Sequence, residues 1–331
     1  MSRSKAQSQR VVHGDADKQA PKLLILHPDA EEYRAAIHSA FPTLEIVANS
    51  HPLSQHALDA DIILTSRISV QVIESVQNLK WIQSTNSGVE FLLPAREHLR
   101  RTVVTNARGI HREVMADYVL GMVTALHWDF RGLLRQQTAR DWRMKFVGPL
   151  SGKTIGIVGL GAVGLEIAKR AKSAGMTVVG MRRGGAQTAD PVDRYVARHQ
   201  LGELLSESDF VVLVVPATEE TRKLIGVVEL NSMRRSAYLI NVSRGTVVDE
   251  SALIDALCTG KIAGAALDVF ETEPLPASSK LWDMPNIFIT PHIAGNPTEY
   301  TRRALEIFLE NLKRYLAGQE LTNVVDLARG Y

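Results

Sequence analysis

From Lys22 onward, short apolar runs alternate with stretches in which apolar residues recur every three or four positions. The runs "KLLILH", "LEIVA", "DIILT" and "KWIQS" are continuous rather than alternating, as in strands buried on both faces, and a helical stretch from Ala30 to Phe41 follows the first of them. This pattern predicts a parallel sheet with helices between its strands. A long helical pattern comes next in "REVMADYVLGMVTALHW", where Val114, Tyr118, Met122 and Leu126 at four-residue spacing predict one buried face, packed between domains. A second series of strands then runs through "TIGIVG", "MTVVGM", "DFVVLVV", "AYLIN", "GAALD" and "NIFIT". The stretch from Thr298 to Leu316 is again helical, with Ala304, Phe308, Leu312 and Leu316 expected on one face. The fold class expected is therefore α/β, with two doubly wound domains.

Length agrees with two domains, since 331 residues exceed what one core usually organises. Hydrophobic residues make up 45% and charged residues 22%, and a formal net charge of +2 gives no electrostatic case for nucleic acid or a membrane surface. A single cysteine, Cys258, excludes an intramolecular disulfide and suits a reducing, cytoplasmic compartment. In "SALIDALCTG" it reads as a small buried hydrophobe. Residues 1–20 are polar, lack the apolar centre of a secretory signal, and are expected to form a disordered tail. The histidines show no metal-binding spacing, so no metal is expected. Trp128, Trp142 and Trp282 are read first as core, with cleft or subunit contacts as the alternative, and Arg234 and Arg235 as surface charge.

Chemistry enters with "IVGLGAVG". Gly159, Gly161 and Gly164, with Ala162 and Val163 between the last two, stand directly after a strand and before a helix. The first glycine permits a tight turn, the second lets the backbone approach a pyrophosphate, and the third lets helix and strand pack closely. The next strand ends in "GMRRGG", where dinucleotide sites often carry a carboxylate for the ribose hydroxyls of NAD. Arg182 removes that carboxylate and supplies a guanidinium able to hold the 2′-phosphate of NADP, and Arg183 adds a second. NADP(H) is thus the preferred cofactor and NAD(H) the alternative; solvated loop charges would look the same in sequence. Thr221 in "PATEETRKL" is a candidate phosphate contact or a surface-turn residue.

Three further stretches follow strands of the second sheet, where ligands gather in such folds. They are "NVSRGTVVDE" with Arg244, where Gly245 is expected to allow a sharp turn, "LDVFETEPLP" with Asp268 and Glu273, and "ITPHIAGN" with His292. Together with the glycine motif, in this order and spacing, they resemble the D-isomer-specific 2-hydroxyacid dehydrogenase family over nearly the whole chain, Lys22 to about Asp326. The resemblance lies nearest the NADPH-dependent glyoxylate and hydroxypyruvate reductase branch. It implies a catalytic triad of Arg244, Glu273 and His292, with Asp268 near the nicotinamide. The chemistry agrees. Arg244 can anchor a 2-keto acid carboxylate and polarise its keto oxygen, and His292 can protonate the developing alkoxide. Glu273 can orient the imidazole and favour the imidazolium.

The resemblance also implies a flavodoxin-like substrate domain from residues 21–107 and 297–331, a Rossmann cofactor domain over 108–296, and an active site in the cleft between them. It implies a homodimer pairing through the helix near residues 112 to 128. In "STNSGVEFL", Ser87, Gly88 and Val89 are the candidate substrate loop, their amides facing the carboxylate. Glu90 stands there where the family usually has aspartate. Relatives of other activity remain alternatives. Formate enzymes lack the partner that Glu273 supplies, many phosphoglycerate dehydrogenases carry a further regulatory domain, and phosphite dehydrogenases and dinucleotide-sensing corepressors share the fold. The 2-keto acid itself is read by pocket shape, which no motif encodes.

Overall fold

A computed structural model describes residues 20–48, 54–183 and 189–330. Of the expected tail at 1–20, all but Ala20 lies outside the described residues. Two compact units divide the chain: His111–Pro297 forms one, and the described residues up to Ile110 join those from Thr298 onward in the other.

The first unit holds five parallel strands, β1 (Lys22–Leu26), β2 (Glu45–Ala48), β3 (Ile62–Thr65), β4 (Trp81–Ser84) and β5 (Val103–Thr105), in the order β2-β1-β3-β4-β5. That order is the flavodoxin-like one. β3 and β4 are buried at every position, which explains their unbroken apolar runs. The C-terminal helix Tyr300–Leu316 joins this unit, where Phe308 and Tyr315 stack on Trp81 at ring-centroid distances of 5.3 and 5.4 Å. Its buried face is Ala304, Phe308, Asn311, Leu312 and Tyr315, whereas Leu316 is 44% exposed. Steps of four residues drift about 40° per step around a helix of 3.6 residues per turn, so Tyr315 takes the position expected of Leu316.

The second unit holds seven parallel strands: β6 (Thr154–Val158), β7 (Thr177–Met181), β8 (Arg194–Val196), β9 (Phe210–Leu213), β10 (Tyr238–Asn241), β11 (Gly264–Leu267) and β12 (Ile287–Ile289). Their order, β12-β11-β10-β9-β6-β7-β8, reverses direction between β6 and β9. This is the Rossmann arrangement, whose ligands bind outside the carboxyl ends of the strands at the reversal.

The helix Arg112–His127 packs on the helix Ala162–Ser173 within this unit. Its fully buried residues are Ala116, Val119, Val123, Ala125 and Leu126, while Val114, Tyr118 and Met122 are only half-buried. The same drift rotates its core face away from the expected row. Cys258 is exposed, not buried, because as the last residue of the helix Glu250–Cys258 it falls opposite the buried Ala252, Leu253, Ala256 and Leu257. Trp128, Trp142 and Trp282 are also not core, being 41%, 94% and 47% exposed. No helix among the described residues is long and apolar enough to cross a membrane.

Candidate active site

β6 ends at Val158, and the chain turns at once through Gly159 at φ +111° into the helix Ala162–Ser173. A Cβ at Gly159 would lie 2.5 Å from the Val214 carbonyl oxygen, and one at Gly164 would lie 2.0 Å from that of Gly159. No L side chain fits either place. A Cβ at Gly161 would meet nothing within 4 Å, so the open side of this turn faces away from protein. Gly161 and Ala162 are exposed at the helix start and Val163 packs toward the core. Exposed amides at a helix N-terminus beside a glycine turn suit a dinucleotide pyrophosphate.

Beyond β7, the Arg182 guanidinium donates to Asp190 at 3.0 Å, and the Tyr195 hydroxyl donates to the same carboxylate oxygen. Arg183 donates to Glu220 at 2.5 Å. Gly184 and Gly185 lie outside the described residues. The Thr221 hydroxyl donates within its own turn, to the Pro216 carbonyl at 2.7 Å, and accepts the Thr218 amide at 2.8 Å.

Arg244 follows β10 through a turn built by Asn241, whose side-chain oxygen accepts the Ser243 amide and hydroxyl at 3.0 and 2.7 Å. The Asn241 amide nitrogen donates to the Arg244 carbonyl at 3.1 Å, and the guanidinium donates to the Ser243 carbonyl at 2.7 Å. The chain turns at Gly245, as expected, into the short helical turn Gly245–Val247, and the glycine also permits close approach: a Cβ there would sit 1.8 Å from the Phe270 carbonyl carbon. The Arg244 turn is thereby seated against the loop that carries Glu273.

Glu273 uses both oxygens. Oε1 accepts the Phe270 amide at 3.0 Å, and Oε2 lies 2.8 Å from His292 Nδ1. A carboxylate only accepts, so Nδ1 carries the hydrogen and Nε2 is the atom left to exchange a proton. His292 itself adopts the left-handed region at φ 53°, uncommon for a residue with a side chain. Asp268 holds that turn. Its carbonyl accepts the His292 amide at 2.9 Å, and its carboxylate accepts the Ile293 and Ala294 amides, each at 2.9 Å.

Asp268 is 2% exposed, and its carboxylate accepts a third hydrogen bond, from Thr290 Oγ1 at 2.6 Å. The one hydroxyl hydrogen of Thr290 is spent there, so its 2.7 Å contact with Tyr118 is a bond donated by the tyrosine. Burial foremost pushes the Tyr118 hydroxyl up to about 12, which keeps it a donor across the working pH range. In the sequence Tyr118 reads only as part of a buried helix face, and nothing marks Thr290, although it stands inside "ITPHIAGN" two residues before His292.

Ser87, Gly88 and Val89 lie in the first unit, after β4. The Ser87 carbonyl accepts from Asn106 at 2.7 Å, its hydroxyl donates to the Ala107 carbonyl at 3.4 Å, and Gly88 is half-buried. Val89 is 1% exposed and belongs to the core of that unit, so of the three it is the one enclosed by protein.

Residues 120–294 match the family described as "D-isomer specific 2-hydroxyacid dehydrogenase, NAD binding domain". The chain belongs to the D-isomer-specific 2-hydroxyacid dehydrogenase family. It is 37% identical to a glyoxylate reductase of Thermofilum pendens over 78% of each chain. It is 32% identical to glyoxylate/hydroxypyruvate reductase B of Pectobacterium atrosepticum over 92% of this chain and 98% of that one. Among solved structures, a D-isomer-specific 2-hydroxyacid dehydrogenase of Xanthobacter autotrophicus in complex with NADPH and MES superposes at a TM-score of 0.86, with 31% identity, over 95% of this chain and 100% of that chain. Membership makes this dehydrogenase a dinucleotide-dependent oxidoreductase, and the second unit, with its glycine turn, is the cofactor domain.

Proposed function

We propose that the protein reduces small 2-keto acids, glyoxylate and hydroxypyruvate foremost, to D-2-hydroxy acids with NADPH preferred over NADH. The observation that carries this reading is the Glu273–His292 pair at 2.8 Å, set on a turn that Asp268 braces, with Gly245 packing the Arg244 turn against the same loop. The names of the Thermofilum and Pectobacterium relatives support the substrate class. Arg182 and Arg183, with no acidic residue at the end of β7, support NADPH, as does the NADPH complex of the Xanthobacter enzyme.

A nicotinamide dinucleotide bound to the second unit would supply the hydride for the keto carbon. The turn formed by Gly159, Gly161, Ala162, Val163 and Gly164 would hold its pyrophosphate, and Asp268 would serve its nicotinamide end. Arg244 pairs with the substrate carboxylate and stabilises negative charge growing on the keto oxygen. His292 Nε2 delivers the proton to that oxygen, while Glu273 keeps the hydrogen on Nδ1 and compensates the imidazolium charge. Amides of Ser87, Gly88 and Val89 add substrate contacts.

A cytoplasmic homodimer belongs to the same reading. Trp142, Met144 and Phe146 are 94%, 81% and 95% exposed, which supports a second copy covering them. The single cysteine supports a reducing compartment.

Initial rates with NADPH and NADH, against glyoxylate, hydroxypyruvate and phenylpyruvate, test the assignment in the wild type and in Arg182→Asp. NADPH is expected to lead and the substitution to shift preference toward NADH. Equal rates with both cofactors in both proteins would remove the arginines from cofactor selection.

A further inference from the structure

Beyond Arg182 and Arg183, a third guanidinium reaches the same place. Arg198 opens the short helical turn Arg198–Gln200 after β8, and it donates from Nη1 to Glu220 Oε2 at 2.6 Å and from Nη2 to the Glu220 carbonyl at 2.5 Å. Arg183, after β7, donates to that same Oε2 at 2.5 Å. Two arginines from adjacent loops thus converge on one anionic oxygen.

Topology gives this convergence its meaning. In the sheet order β9-β6-β7-β8, the glycine turn follows β6, Arg183 follows β7 and Arg198 follows β8, whereas Glu220 arrives from the opposite side, on the loop after β9. The Glu220 contacts therefore cross the mouth of the crevice outside the ends of β6 and β7, the ground an adenosine uses in this fold. A guanidinium N–H that donates to a carboxylate cannot donate at the same time to a phosphate. Both acceptors suit the planar fork of arginine, so they compete for it.

We propose that Arg198 is a third arginine of the 2′-phosphate site and that Glu220 is its built-in competitor, the pair together setting how strongly a 2′-phosphorylated dinucleotide is preferred. The inference rests on the NADPH reading above. A 2′-phosphate carries close to two negative charges at neutral pH, more than one carboxylate, and so replaces Glu220 on Arg183 and Arg198 with a net electrostatic gain. The side chains of Arg198 and Glu220 are 54% and 56% exposed, so replacing either leaves the core untouched.

Calorimetric titration with adenosine 2′,5′-bisphosphate and with ADP tests this without turnover, in the wild type, Arg198→Ala and Glu220→Gln. Loss of one exposed charge-assisted hydrogen bond predicts that Arg198→Ala weakens the bisphosphate by about tenfold and ADP by less than about twofold. Glu220→Gln is expected to tighten the bisphosphate severalfold and leave ADP unchanged. Equal weakening of both nucleotides by Arg198→Ala, no change in either, or weaker bisphosphate binding in Glu220→Gln would overturn the proposal. A wild type that does not distinguish the two nucleotides overturns the NADPH preference and this inference with it. A wild type that distinguishes them, beside an Arg198→Ala that behaves identically, overturns this inference alone.

Discussion

Replacing Asp268 by asparagine keeps the shape of the side chain and removes one acceptor. Oδ1 accepts Thr290 Oγ1 and the Ile293 amide, and Oδ2 accepts the Ala294 amide, all at 2.6 to 2.9 Å. In the milder orientation of Asp268→Asn, the amide oxygen stays with Thr290 and Ile293 while its NH2 faces the Ala294 N–H, donor against donor. One hydrogen bond to a charged group is lost and a buried amide is left without an acceptor, worth about 1.5–3 kcal/mol. The two surviving bonds change from charged to neutral acceptor and bring the total to about 3 kcal/mol. At about 2–4 °C per kcal/mol for a unit of this size, scanning calorimetry should record a Tm lower by roughly 6–12 °C. The displaced turn also carries His292, and a shift of about 1 Å in a catalytic group costs on the order of a hundredfold in kcat. A variant with Tm within about 2 °C of wild type and kcat within about threefold would refute the claim that Asp268 sets the His292 turn.

Gly245→Ala drives a methyl group into the Phe270 backbone, 1.8 Å away, and should lower stability by about 1–3 kcal/mol in urea titration together with most of the activity; a fully active variant would show that the two loops separate freely. Glu273→Gln can no longer accept from both the Phe270 amide and His292, so kcat should fall by about a hundredfold with KM for the keto acid little changed. A fall in KM affinity alone would assign Glu273 to binding. Asp193 accepts from Lys172 at 2.6 Å and from the Val178 amide at 2.8 Å, and these bonds, the lysine's first, hold its carboxyl below the usual range. Its contribution to stability is therefore present above the unfolded pKa of about 3.9 and lost as pH falls through the lower folded value. The stability gap between wild type and Asp193→Asn should shrink on acidification below about pH 4, and a gap constant with pH would contradict this.

Most strands were legible because parallel strands buried on both faces write themselves as unbroken apolar runs. β5 (VVT) and β8 (RYV) contribute only two apolar residues each, whereas the equally short β12 (IFI) contributes three. Apolar spacing gave the existence of the long helices but not their rotation, since a four-residue row drifts around the axis; Leu316 and Val114 show the consequence. Cys258 sits in an apolar stretch yet is exposed, because it falls on the helix face opposite Ala252, Leu253, Ala256 and Leu257. The glycine turn, Arg244, Glu273 and His292 were legible as motifs, each short and attached to a strand end. Asp268, which braces the His292 turn, stands in one of those motifs, but the more distant partners were not legible. Tyr118 lies 172 residues from Thr290, and Glu220 lies 37 from Arg183, so nothing local marks either contact. At Gly245 the turn was legible but the close approach to Phe270 was not, because the two needs look alike in one letter.

The central claim is that His292 Nε2 delivers the proton in a D-specific reduction of 2-keto acids. Its most direct test is the kcat for NADPH-dependent hydroxypyruvate reduction by wild type and His292→Ala, with chiral analysis of the glycerate formed. The account predicts D-glycerate from the wild type and a loss in kcat on the order of 10²–10⁴ in the variant. L-glycerate, or near-normal turnover without His292, would contradict it.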